Sequence, residues 1–270
     1  MGQGIGYASS MSATKIPPEP QYWQALQAWY GGRLGGWLSE AERGLLESVL
    51  PDLFGYHLLQ LGIPDSHDWL AGSRINHPII LDIGNKKTAE SSGLCSEADS
   101  LPLASESIDV ALLPHTLDFH ARPHEILREI DRVLIPEGHV VILAFNPFSV
   151  WGMMRVLMGW RGRMPWQGQY YTQTRVRDWL ALLGFDCVQT NSIFFRPPFS
   201  HEKTMQKLEF MERFGKRFVP FSSAVYLITA RKRTSTLTPI KPRWRSQRNV
   251  VGAAVEPSTR NMHRGMQQDG

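Results

Sequence analysis

The sequence predicts an α/β fold in which seven strands form a mostly parallel sheet with helices on both faces. Three observations lead there. From Tyr56 onward, short apolar runs alternate with polar or helical segments, the pattern of strands joined by crossover helices. Ile126, Leu127, Ile130, Val133 and Leu134 fall on one helical face, Pro136-Glu137-Gly138 turns the chain, and 140–145 is an unbroken apolar run, which together make a helix-then-strand unit. A chain of 270 residues, 42% of them hydrophobic, buries a full core more naturally as one decorated domain than as two.

Taken in order, residues 1–19 read as a flexible leader that ends in Pro-Pro-Glu-Pro. Its start resembles an acylation signal but has Gly6 where Ser or Thr is required. Residues 20–54 read as an N-terminal helical extension. Tyr22, Leu26, Trp29 and Tyr30 fall at helical spacing, and Ser39-Glu40-Ala41-Glu42 is a capping box that opens a second helix through Leu45, Leu46, Val49 and Leu50. Such aromatic helices serve either as core or as a lid over a ligand. Strands are expected at 57–61, 78–82, 93–95, 108–113 and 138–145. After 145, the dense Trp and Met content of 148–166 suits a mobile apolar flap over an acceptor, or else packing into the core. Val176, Trp179, Leu180 and Leu183 then mark a helix, and the apolar runs 187–194 and 224–230 supply two more strands, with a helix and loop between them.

The formal charge of +4 hides a division along the chain. Between Arg213 and Val255 there are ten Lys and Arg and no acid, leaving nineteen basic against twenty-five acidic residues elsewhere. Residues 233–270 therefore read as a basic disordered tail, with Trp244 among its cations as a stacking surface for nucleic acid. Cys95 and Cys187 are far apart, with no CxxC and no secreted pattern, which fits a reducing compartment, the cytoplasm. The most apolar stretch, 140–160, is interrupted by Asn146-Pro147 and Arg155, so no membrane-spanning helix is expected.

Residues 97–145 carry a resemblance. Glu97-Ala98-Asp99-Ser100-Leu101-Pro102-Leu103 leads into Ser107-Ile108-Asp109-Val110-Ala111-Leu112-Leu113, then His115-Thr116-Leu117-Asp118, then Leu127-Arg128-Glu129-Ile130-Asp131-Arg132-Val133-Leu134-Ile135-Pro136-Glu137-Gly138. This order closely resembles the methyltransferase-type-11 pattern. With the N-terminal helices, the tail and Phe145-Asn146-Pro147-Phe148-Ser149, the chain looks most like the small proteobacterial family of YafS-like proteins. The resemblance implies a Rossmann-like class I methyltransferase fold over residues 55–232 that ends in an antiparallel hairpin. It also implies S-adenosyl-L-methionine as cofactor and a methyl acceptor that the sequence does not name.

Site residues follow from the same resemblance. The family's glycine loop corresponds to Leu58-Leu59-Gln60-Leu61-Gly62-Ile63-Pro64-Asp65, where Gln60 replaces the usual acid and only Gly62 remains of the glycines. Ile63 adds bulk there and Pro64 removes a backbone donor. Asp82, twenty residues after Gly62, stands where an acid binds ribose hydroxyls. Glu97 and Ala98 match the acid-Ala pair beside the adenine, and Asp99 is a nearby second carboxylate. His115 follows the fourth strand on the carboxyl edge, where open α/β sheets bind ligands. Methyl transfer requires no fixed catalytic residue; as bases for deprotonating an acceptor the candidates are His115, Asp118 and His120. No cluster has metal-ligand spacing. Asn146-Pro147-Phe148 follows the fifth strand and is expected to turn the chain away from the strand end. Two readings stand: a methyltransferase of unnamed acceptor, or a catalytically weak or inactive protein of the same fold that binds nucleic acid or a protein partner through its basic tail.

Overall fold

The computed structural model describes residues 19–62, 69–83, 94–96, 98–198 and 222–233, all in one compact unit. The leader, Glu97 and the basic tail beyond Arg233 lie outside the described residues.

Two helices open the fold, α1 (Glu19–Tyr30) and α2 (Arg33–Val49), and turn a corner at Gly31-Gly32. The corner is tight. A Cβ on Gly35 would lie 2.3 Å from the Trp29 carbonyl oxygen and 2.6 Å from the Tyr30 Cα, so only glycine lets the two backbones approach there. The capping-box expectation is corrected here. Helix α2 begins at Arg33, capped by extended Gly32, and Ser39 and Glu42 lie buried inside it. Their side chains do not cap; they reach other parts of the fold.

The sheet contains β1 (His57–Leu61), β2 (His77–Ile83), β3 (Leu94–Ser96), β4 (Ile108–Pro114), β5 (Leu134–Phe145), β6 (Phe185–Ile193) and β7 (Val225–Lys232). Their order is β3-β2-β1-β4-β5-β7-β6. The first five strands are parallel, and β7 inserts antiparallel between β5 and β6, which makes β6 the edge rather than the centre of the hairpin. This is the class I methyltransferase-like sheet, flanked by α3 (Pro123–Val133), α4 (Val150–Met158) and α5 (Gln173–Leu182).

One strand differs from its sequence reading. Pro136-Glu137-Gly138 does not end the α3 connection as a turn. Strand β5 already pairs at Leu134 with Ile108, and the pairing then slips so that His139 faces Val110. Glu137 takes φ 65, and a Cβ on Gly138 would sit 2.9 Å from the Ile135 carbonyl oxygen. The turn-like residues thus build a bulge within a strand.

Residues 148–166 also divide. Trp151 and Trp166 are buried, and Trp151 stacks on Phe145 at 5.9 Å and packs against Trp166 at 5.4 Å. Met153, Leu157 and Trp160 remain exposed. Asn146 shapes the turn into α4: its Oδ1 accepts from the Phe148 N–H at 3.0 Å, while Ser149 caps the helix by accepting from the Gly152 N–H. No helix among the described residues is long and apolar enough to cross a membrane.

Candidate functional site at the carboxyl edge of the sheet

Strand order reverses between β1 and β4, since β2 lies on one side of β1 and β4 on the other. Parallel α/β sheets bind ligands at such a switch point, outside the carboxyl ends of the strands. Gly62 follows β1 and His115 follows β4, so both stand at this point.

Gly62 adopts φ 92, a conformation that L side chains rarely take. Its N–H donates to the Leu81 carbonyl at 3.0 Å, tying it to β2, while Gln60 Nε2 donates to the Gly62 carbonyl at 3.4 Å. A Cβ at Gly62 would lie 3.0 Å from the six-membered ring of Trp23, which reaches in from α1. Thr116 Oγ1 donates to the Leu61 carbonyl at 2.6 Å and fastens the loop after β4 to the end of β1. Asp82 is half-buried near the end of β2, paired in register with Cys95 on β3. Ala98 is fully buried just beyond β3, and the Asp99 carboxylate forms an ion pair with Arg122 at 2.5 Å.

His115 takes φ 54 and is fully buried. Its Nε2 meets Glu42 Oε1 at 2.8 Å and its Nδ1 meets Asp118 Oδ2 at 3.0 Å. Burial alone would lower the imidazole pKa, but the two carboxylates outweigh it and hold His115 at about 9. At neutral pH the ring is therefore an imidazolium donating from both nitrogens. Tyr30 OH donates to Glu42 Oε2 at 3.1 Å, and the Phe145 N–H donates to Asp118 Oδ2 at 2.9 Å. Burial raises the Asp118 pKa, with the bonds from His115 and Phe145 opposing that rise. Burial, with Glu42 adding to it, pushes the Tyr30 phenol well above its usual range. One imidazolium thus bridges two buried carboxylates, one from α2 and one from the loop after β4, and staples the helical extension to the switch point.

Among the described residues, two buried polar atoms at this site have no hydrogen-bond partner, Asp118 Oδ1 and Trp23 Nε1. Asp118 also lines a small cavity with Tyr22, Phe119, His120 and Gln167–Gln169; its volume of about 10 Å³ is close to what one water requires. His120 Nδ1 accepts from the Arg122 N–H at 3.0 Å, so its neutral ring carries the proton on Nε2. Among the described residues no group of His, Cys, Asp or Glu is disposed to hold a metal ion.

Of the residues expected from the sequence, Gln60, Gly62, Asp82, Ala98 and His115 gather along the carboxyl edge of β1, β2, β3 and β4. Asp99 is turned toward Arg122, and Glu97 is outside the described residues. The sequence reading missed Glu42, Trp23 and Thr116. Glu42 was hidden by its place in an apparent capping box, and Trp23 by the helical pattern of its aromatic neighbours.

Comparison with known proteins fits this geometry. The chain is 31% identical to YafS of Escherichia coli (strain K12) over 208 residues, which is 74% of this chain and 80% of that protein. The chain belongs to the YafS-like family. A methyltransferase-domain family model matches residues 77–142 of this YafS-like chain, from β2 through most of β5. Solved structures share its fold. A SAM-dependent methyltransferase from Thermotoga maritima, described as a possible histamine N-methyltransferase, superposes with TM-score 0.58 at 16% identity, covering 79% of this chain and 98% of its own. A chain of the complex between the Haloferax volcanii Trm112 methyltransferase activator and a putative methyltransferase gives 0.55 at 18%, covering 77% and 98%. The [4+2]-cyclase SpnF gives 0.50 at 18%, covering 71% and 80%, so this fold also carries a reaction named for ring closure.

Three further features stand at this edge of the YafS-like chain. Gly62 offers bare backbone with a conformation that a side chain would strain. Ala98 is small and buried where the chain leaves β3. Trp23 brings an unpaired buried donor to the same edge.

Proposed function

We propose that the chain is an S-adenosyl-L-methionine-dependent methyltransferase whose cofactor lies over Gly62 and against Asp82, Glu97 and Ala98. The observation that supports this reading is Gly62, which takes φ 92 at the switch point, where parallel α/β sheets bind ligands. The cofactor supplies a sulfonium-bound methyl group for in-line displacement by an acceptor. Positioning therefore dominates over acid–base chemistry.

The protein's own groups provide that positioning. Gln60 and Thr116 hold the end of β1 from two sides through the Gly62 and Leu61 carbonyls. In this reading Asp82 accepts from ribose hydroxyls, and the pair between Arg122 and Asp99 holds the turn at Ala98. The Trp23 ring shuts water out above Gly62, and its indole N–H is a donor for the ligand. With both nitrogens engaged by carboxylates, His115 positions Asp118 and takes no proton from an acceptor. Asp118 Oδ1 is the oxygen left to accept a hydrogen bond from an acceptor O–H or N–H that enters between Tyr22, Phe119 and Gln167. Two cysteines without a disulfide pattern support a reducing compartment, the cytoplasm, for this chemistry.

Calorimetric titration of the full chain with S-adenosylhomocysteine tests the reading. Wild type is expected to bind one equivalent, and Asp82→Ala to bind with affinity lowered by about 1.5–3 kcal/mol, the loss of a charge-assisted bond. No heat from wild type, or equal affinity in both proteins, would contradict it.

A further inference from the structure

Helix α4 carries one charged side chain, Arg155, whose guanidinium donates to the Gly168 carbonyl, and is otherwise apolar. Its inner side holds Trp151, which is buried, and Gly152, where a Cβ would come within 2.0 Å of the Pro147 carbonyl oxygen. Its outer side repeats at 150, 153 and 157, and Trp160 continues this stripe in the turn after α4, with Val156 beside it. The stripe faces solvent: Val150 is 37% exposed, Met153 57%, Val156 77%, Leu157 59% and Trp160 77%, with Phe148 at 76% just before the helix. Contiguous exposed apolar surface of this kind marks a docking site.

Charge decides what docks. From Gly138 to Arg177 the chain has five arginines and no acid. Arg161 and Arg163 are exposed at the end of the stripe, and the Arg161 guanidinium lies 5.0 Å over the Trp160 ring. Large apolar side chains, a tryptophan at the border and flanking arginines are the make-up of a segment that lies in a membrane interface. A second copy placed on the same stripe would set these arginines against one another.

We propose that the α4 stripe, from Phe148 to Arg163, docks the protein on an anionic phospholipid surface. Phe148, Met153, Val156, Leu157 and Trp160 enter the interface, and Arg161 and Arg163 meet lipid phosphates. Because α4 follows the carboxyl end of β5, docking holds the rim of the sheet that carries Gly62 and His115 toward the bilayer. The inference is independent of the cofactor assignment.

Flotation of the full chain with vesicles tests it. One set is phosphatidylcholine alone, and the other is equal parts phosphatidylcholine and phosphatidylglycerol. Wild type is expected to float with the anionic set and to be released by salt. In the full chain, with the basic tail kept, Leu157→Asp and Trp160→Ala are expected to lower the partition coefficient roughly tenfold. Arg161→Glu is expected to lower it at least about fivefold. Circular dichroism confirms that these exposed substitutions leave the fold intact. No flotation of wild type, undiminished flotation of the stripe variants, equal binding to both vesicle sets, or a wild-type dimer that Leu157→Asp makes monomeric would each overturn the proposal.

Discussion

His115 between Glu42 and Asp118 ties folding to pH through two shifts that act in the same direction. The imidazole pKa rises from 6.5 unfolded to about 9 folded, so its contribution is complete below about pH 6.5 and is lost as pH climbs through about 9. That loss is on the order of 3 kcal/mol. Burial raises the Asp118 pKa, so its ionisation also costs stability as pH rises, beginning in the acid range. Urea denaturation from about pH 6 to about pH 10 is expected to show falling stability, with the alkaline fall flattened in Glu42→Gln. An unchanged alkaline slope in that variant would refute the bridge. Gly62→Ala tests the switch-point loop in a different way. The left-handed conformation and the Trp23 contact at 3.0 Å are expected to lower stability by about 1–2 kcal/mol, and a thermal melt matching wild type would refute the crowding. The positions of Gly62, Asp82 and His115 at strand ends were legible in the sequence because apolar runs mark those ends. Glu42 was not, because its partner lies seventy-three residues away and its neighbours imitate a helix cap.

Elements were easier to find than their ends. The parallel strands and α3 were legible because apolar runs and a one-sided helical face survive any small error in boundary. Helix α2 started earlier than expected because Ser39 is occupied by the Trp69 indole N–H at 3.1 Å and Glu42 by Tyr30 and His115, so tertiary partners replaced the local cap. Strand β5 ran through Pro136-Glu137-Gly138 because a bulge uses the same positive-φ residues as a turn. The corner between α1 and α2 gives an expectation with a definite sign. Glycine to alanine in a helix ordinarily gains about 1 kcal/mol. At Gly35 the new methyl would meet Trp29 backbone at 2.3 Å, and overpacking of about 1–3 kcal/mol or more wins. Gly35→Ala is expected to lower the urea midpoint; a raised midpoint would show that the corner relaxes freely.

In the whole molecule, the sheet brings together residues far apart in sequence, and the helical extension closes over them. Sequence order alone shows that β1 and β4 end near each other in this fold. It does not show that α1 and α2 reach across that edge, since nothing in an amphipathic helix states which surface it will cover. The outward apolar face of α4 was legible as a dense Trp and Met segment, but which of those side chains face inward is decided by packing on Phe145 and Pro147. Hydrogen exchange of the full chain, with and without saturating S-adenosyl-L-methionine, reads the cofactor position directly. Protection is expected to rise at Leu58–Gly62, at the end of β2 through Ile83, and at Ala98–Leu101, with little change along β6 and β7. Unchanged exchange at those three segments, or protection confined to other parts of the chain, would contradict a cofactor site at the carboxyl edge of the sheet.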